Sequence, residues 1–196
     1  MYTMRLLSSA DRLGLNELLR ARQEHQLARG HALSGEGAAL VGFVLAEPGP
    51  AVLPIGMWGE NGLVAAFAVQ RADPLDGWSE EERAEPSLVV SHAHTHPGGE
   101  RLFQLITPWL RGYAAQLEDP PTWIRCTVRT TEVANHLRDD CGWQHVRTVL
   151  TWACRHLLQH APQRNETGVL VRGEGPFAPL PRVRKEAPQN TTRLLA

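Results

Sequence analysis

One stretch, Ser87 to Trp143, restricts the possible folds more than any other. The run Ser87 to His96 reads as a strand and enters a break at Pro97, Gly98 and Gly99. An apolar segment of helical spacing follows, then a second strand, then a short helix that ends in Gly142 and Trp143. A strand that opens into a glycine loop at a helix start presents backbone N–H groups, and these suit an anionic ligand such as a cofactor pyrophosphate. The residues of that loop decide whether the chain is an enzyme.

From Leu102 the apolar positions Leu102, Leu105, Ile106, Trp109, Leu110, Tyr113 and Leu117 recur every three or four residues, the stripe of a helix packed on a sheet. Pro108 interrupts it. A proline in mid-helix costs about 3 kcal/mol, so the spacing predicts either a kink or a helix that begins at Pro108 with Thr107 as its cap. Ile124, Cys126 and Val128 then alternate with Trp123, Arg125, Thr127 and Arg129, a half-covered strand. Thr130 or Thr131 caps a helix over Glu132 to Asp140, and Gly142 ends it. Val146, Thr148, Leu150, Trp152 and Cys154 alternate with their neighbours as a final strand that closes the fold.

The first part of the chain reads as a strand over Thr3 to Leu7, capping side chains at Ser8 to Asp11, and a helix that buries Leu15, Leu18 and Leu19 and stops near Gly30. Ala38 to Leu45 fits a buried strand or a helix equally well over so short a run. Ala51 to Trp58 and Leu63 to Gln70 flank Asn61 and Gly62, residues tolerant of positive φ, and predict a β-hairpin. Arg71 to Glu85 is polar and acidic, a solvated connector with one helical turn over Ser79 to Arg83.

The whole chain has 196 residues, 42% hydrophobic and 21% charged, which suits a soluble globular domain over residues 1–160 followed by a proline-rich, loosely ordered tail over 161–196. Within the tail, Gly168 to Val171 could add to a sheet edge. A net charge of −1 favours neither nucleic acid nor a membrane surface as partner. Cys126, Cys141 and Cys154 show no metal-knuckle or disulfide spacing and read as small, buried, reduced thiols. With no apolar leader or span visible, the expected location is the cytoplasm.

The order of elements resembles the GNAT superfamily of N-acetyltransferases over about Met4 to Trp152. The resemblance is carried by Met4 to Leu7, Leu63 to Ala66 after the hairpin turn, Glu85 to Val90 entering the fourth family strand, Trp109 and Ala114 in the next helix, and Ala134, Arg138, Gly142 and Trp143 at the family's A-x-x-x-Y-x-x-x-G-F positions. It implies an α/β (α+β) fold with a mixed, mostly antiparallel central sheet flanked by helices. It also implies acetyl-CoA as co-substrate. The backbone of His94, Thr95 and His96 would hold the pantetheine, and Gly98, Gly99, Glu100, Arg101 and Leu102 the pyrophosphate. Two departures stand out: the family's Q/R-x-x-G-x-G/A glycines are Arg101 and Phe103 here, and its frequent tyrosine acid is Arg138. A side chain on the loop hinders close backbone approach, although Arg101 supplies charge that glycine lacks.

His92, His94 and His96 occupy alternate positions of the predicted strand and so share one face. Three readings stay open. A histidine near the thioester suits a general base, with His94 preferred and His92 second. Three imidazoles could converge on zinc, since His92 to Gly99 looks like the H-x-H-x-D-H-x-G-G segment of metallo-β-lactamase-fold hydrolases, less the aspartate and one residue short. They could also be polar positions lining a cleft. Glu85 and Glu100 are alternative carboxylate bases, and Asn135 and His136 could reach the same cleft. The expected activity is direct acetyl transfer from acetyl-CoA to an amine of a small molecule, peptide or protein. The alternative is a GNAT-like binding module that has lost the cofactor loop, and a homodimer is an open possibility. The acidic 73–85 segment hints at a cationic amine.

Overall fold

The computed structural model describes residues 2–30, 35–46, 52–71, 75–99, 102–150, 153–163 and 171–173. A short strand, Tyr2–Leu6 (β1), leads through a 3₁₀ turn into Arg12–Ala28 (α1), and Glu36–Leu45 (α2) follows. The hairpin Val52–Gly59 (β2) and Gly62–Gln70 (β3) turns at Glu60 and Asn61, and Gly62, which opens β3 opposite Gly59, takes a φ of +119°. Glu80–Ala84 (α3), Ser87–Thr95 (β4), Leu102–Gln116 (α4), Trp123–Val128 (β5) and Thr131–Cys141 (α5) come next. Gln144–Leu150 (β6), Cys154–His160 (β7) and Val171–Gly173 (β8) complete the sequence of elements.

These strands form one sheet in the order β6-β7-β5-β4-β3-β2-β1-β8. Only β4 with β5 and β1 with β8 pair in parallel. This is the mixed, mostly antiparallel sheet expected. Alternation along β3 divides the core: Ala65, Phe67 and Val69 face α4 and α5, while Ala66 and Ala68 face α1 and α2. On the first face, Phe67 meets Trp109 edge-on, among Ile55, Ile106, Leu110, Ile124 and Leu137. On the second, the small alanines let Leu15, Leu18, Leu40 and Val44 lie close to the sheet.

Several local signals produce the elements they predict. Thr130 caps α5 by accepting from the Val133 N–H, and Gly142 terminates it with a φ of +72°. Gly30, with a φ of +71°, follows the end of α1. The ambiguous run after Ala38 is the helix α2, which buries Gly37, Leu40 and Val44 at helical spacing. Pro108 lies inside an unbroken α4. Thr107 caps no new helix; its buried hydroxyl accepts from the Trp143 indole N–H at 2.9 Å. The buried face of Ile106, Trp109 and Leu110 offsets the hydrogen bond that proline forgoes.

Three expectations need correction. The single closing strand over Val146 to Cys154 is instead the end of β6 and the start of a further strand, β7, which inserts between β5 and β6. His156, Leu157 and Leu158 are consecutively buried because β7 is covered on both faces, so it lacks the alternation that marks a half-covered strand. Next, the segment before β4 is mostly exposed and carries the expected helical turn, but it is anchored at one point, where Trp78 is 4% exposed. Its anchor is Arg125, which alternation placed on an open face but which is fully buried. Arg125 donates to the Glu82 carbonyl, to Ser87 Oγ at 2.9 Å and to Glu85 Oε2 at 2.5 Å, with its guanidinium over the Trp78 ring. Finally, of the three thiols only Cys126 is buried, Cys141 and Cys154 being intermediate. In the tail, β8 does add to the β1 edge at Val171, and the rest of 174–196 lies outside the described residues.

Replacing Arg125 by methionine keeps much of the volume but leaves the Glu82 carbonyl and Ser87 without their donor. The expected loss is about 2–4 kcal/mol, below the figure for a fully buried pair because Glu85 is half exposed. Urea unfolding of R125M measures it, and a change within about 0.5 kcal/mol would remove Arg125 as the anchor.

Candidate functional site

Parallel pairing of β4 and β5 runs from Ser87 opposite Trp123 to Val90 opposite Cys126 and stops there. Both strands continue, β4 against β3 as far as Thr95 and β5 against β7 as far as Val128. Beyond Val90 and Cys126 they therefore diverge, leaving backbone groups with no strand partner between them. Such groups require a hydrogen-bonding partner. An extended ligand with amides of its own fits that slot in the manner of an added strand.

The divergence has a local cause. Ala68 opposes Ser91 and Ala66 opposes His94, so two steps along β3 match three along β4. This is a β-bulge, and His92 carries it with a φ of +51°. A non-glycine residue held there costs on the order of 1–3 kcal/mol and persists only where its surroundings enforce it. Here the His92 ring meets Phe43 of α2 edge-on at 5.2 Å, and its Nδ1 lies 2.9 Å from Ser91 Oγ.

His94 faces the same side as Ala66, toward α1 and α2. Its Nε2 is buried and has no hydrogen-bond partner. Burial lowers the pKa of the ring; the charge of Glu36 acts against this, Arg22 and His92 act with it, and a backbone hydrogen bond with Glu36 again favours the proton. Glu36, in the first turn of α2, pairs with Arg129 just past β5 at 3.1 Å, so the ion pair spans from α2 to the far wall of the opening. Nothing in the sequence marks Arg22, Glu36, Phe43 or Arg129 as functional, since Arg22 reads as a solvent-facing helix residue, Arg129 as the open side of a strand, and the other two as ordinary members of an apolar run and its flank.

His96 lies beyond the end of β4, exposed, and helps line a cleft of about 470 Å³ with Asp11, Glu17, Trp58 and Asn61. The bulge thus leaves all three histidines on the α1 and α2 side without uniting them. Among the described residues no group of three histidine, cysteine or acidic side chains is arranged to hold a metal. Thr95 is buried on the opposite side, opposite Ala65.

The loop after β4 is turned inward as far as it is described. The Gly98 N–H donates to His96 Nδ1 at 3.2 Å and the Gly99 N–H to the His96 carbonyl at 2.9 Å, while the Leu102 N–H donates to the Gly99 carbonyl at 3.3 Å. A methyl group on Gly99 would overlap the Leu102 side chain, so this glycine serves close packing. Glu100 and Arg101 lie outside the described residues. The fit to acetyl-CoA is accordingly divided. The open β4 edge suits a pantetheine arm, whereas the amides of Gly98 and Gly99 already have partners.

Other candidates stand elsewhere. Glu85, half exposed at the entry to β4, pairs with Arg125 at 2.5 Å. His136 packs against Phe103 at the start of α4 and holds Asp140 at 2.6 Å, on the face of the sheet opposite His94. Cys141 lies beside it, its thiol pushed up to about 11 by burial. Arg138 points to Asp139 at 2.7 Å and cannot serve as a proton donor near neutral pH.

No family model matches the chain, and no curated protein matches it in sequence. Solved structures resemble it in fold. The aminoglycoside acetyltransferase AAC(6')-Ib in complex with coenzyme A aligns with a TM-score of 0.62 at 18% identity, covering 84% of this chain and 96% of that one. An aminoglycoside N(6')acetyltransferase from Legionella pneumophila gives 0.58 at 11% identity, over 82% and 91% of the two chains. A GNAT-family acetyltransferase from Streptococcus agalactiae gives 0.58 at 14%, over 83% and 96%.

Because His94 binds its proton less readily when folded than when unfolded, the unfolded chain takes up more protons below about pH 6.5. Stability should rise as pH climbs through that range and fall as it drops. His160, also lowered by burial, contributes with the same sign. NMR titration should place the His94 midpoint below that of a free histidine, and an H94Q chain should unfold with a shallower pH dependence over pH 5–7. A midpoint at or above 6.5 would contradict the burial argument.

Proposed function

We propose that this chain, whose fold is that of the GNAT superfamily of N-acetyltransferases, transfers an acetyl group from acetyl-CoA to an amine of a small molecule or peptide. The observation that carries this reading is the opening of β4 from β5 beside a buried, unpartnered His94 Nε2. Acetyl-CoA supplies an acyl thioester, and the chain supplies position and a proton acceptor. Backbone groups of His94 and Thr95 take the pantetheine along the edge that β5 leaves, whereas those of His96 are engaged, its N–H by the Val64 carbonyl at 2.8 Å and its carbonyl by the Gly99 N–H at 2.9 Å. Arg101 contributes charge toward the pyrophosphate, in the loop that also contains Gly98, Gly99, Glu100 and Leu102.

An acceptor amine reaches the opening as an ammonium or must shed a proton as it attacks. His94 is neutral near pH 7 by virtue of its burial, so its Nε2 lone pair is free to receive that proton. His92 supports it by holding the bulge. With arginine at position 138, the leaving thiolate draws its proton from water. The AAC(6')-Ib fold is also known with coenzyme A and kanamycin bound, which supports an amine acceptor without identifying one here.

The inward amides of Gly98 and Gly99 favour a second reading, a module that keeps the fold and does not bind acetyl-CoA. Calorimetric titration with acetyl-CoA, against plain CoA, separates the two. Micromolar binding, abolished in R101E, supports the enzyme; no binding at millimolar concentration by a folded sample supports the module. In the enzyme, H94N should lower kcat about 100-fold or more while acetyl-CoA affinity stays within about twofold. The acidic limb of the wild-type pH profile, where activity rises as His94 loses its proton, should disappear with it.

A further inference from the structure

The opening between β4 and β5 has no ladder to fix its width, since their pairing stops at Val90 and Cys126. Each wall is tied to its own neighbours, β4 to β3 and through the His92 ring to Phe43 of α2, and β5 to β7. One ion pair joins the two sides. Glu36, in the first turn of α2, lies 3.1 Å from the guanidinium of Arg129, the residue that follows the end of β5 at Val128. His94 is turned toward the same α1 and α2 side. The pair therefore crosses the opening on the face from which an acceptor must approach that histidine. The side chains of Arg129 and Glu36 are 44% and 38% exposed. A pair so exposed is weak and sensitive to salt, which suits a contact that breaks and re-forms better than one that carries the fold.

We propose that the Glu36–Arg129 pair is a latch on the acceptor side of the opening. Closed, it ties the end of β5 to α2 and covers the slot. Open, it frees the end of β5 and the start of α5 at Thr131 to move outward and admit the acceptor. A charged acceptor competes with one partner for the other, so its arrival releases the latch. The latch belongs to the two walls and stands apart from the identity of the cofactor. Its service to the acetyltransferase reading, which rests on that reading, is to keep water from the thioester until an acceptor is present.

Spin labels on ketone-bearing residues at the exposed positions Ala93 and Thr127, one in each wall beyond the last paired residues, report the width of the opening in the full chain with no ligand added. Wild type should give one narrow distance distribution at low salt, and a broader one shifted to longer distance at about 0.5 M sodium chloride, where exposed charges are screened. E36Q and R129Q should each be broad already at low salt and respond no further to it, while R129K stays close to wild type. The double variant E36Q/R129Q should be no broader than either single one, because all three lose the same contact. All should keep the wild-type circular dichroism and unfolding midpoint. Narrow distributions in E36Q and R129Q overturn the proposal, as do additive broadening in the double variant and broadening accompanied by lost helix signal. Release of CoA from acetyl-CoA without acceptor, followed with a thiol reagent, is the second readout, and E36Q should release it about fivefold faster. Equal release by wild type and E36Q, both binding acetyl-CoA, also overturns the latch. A wild-type protein that fails to bind acetyl-CoA removes the acetyltransferase reading instead, and the distances alone then decide the latch.

Discussion

Between Ser91 and His94, β4 takes three steps where β3 takes two from Ala68 to Ala66. A strand that lengthens against one neighbour cannot keep register with the other, and β5 is the neighbour it loses. The consequences follow in order. The backbone between them opens, His92 is held at positive φ by Phe43 and Ser91, and His94 is delivered to the α1 and α2 face. Without the extra residue every later side chain of β4 would exchange faces, and His94 would point into the core occupied by Phe67 and Trp109.

The two faces of the sheet divide the work. Large side chains on the α4 and α5 side provide most of the apolar burial, with the Trp143 indole locked to Thr107. On the other side the fully buried residues of the sheet are Ala66 and Ala68, with Val52, Trp58 and Leu63 partly buried around them beneath the helices. That thinner layer is the one that borders the opening and supplies Arg22, Glu36 and Phe43. The stable half holds the strands in place, and the lightly packed half carries the polar groups.

Sequence legibility followed the range of the interaction responsible. The hairpin turn at Asn61, the Thr130 cap, the Gly142 stop and the leucines of α1 are each decided within a few residues, and all were readable. The helix over Glu36–Leu45 was not, because ten residues of apolar sequence satisfy either period. The burial of Arg125 depends on Glu82, Glu85 and Trp78, about forty residues away in sequence. For the candidate site, His92 and His94 were named from their spacing. The bulge that places them was invisible, since a histidine rather than a glycine occupies its positive-φ position.

The placement of β7 bears on how the molecule comes into being. Because β7 lies between β5 and β6, neighbours in space reverse their order in the chain, and β5 has no second partner until residues 154–160 arrive. The wall of the opening that β5 forms is therefore completed by nearly the last strand of the sheet. A contact between segments so far apart forms late, since the intervening chain must first be ordered. During synthesis, a nascent chain ending before Cys154 would carry every residue named at the opening and still lack the support that holds its two walls apart.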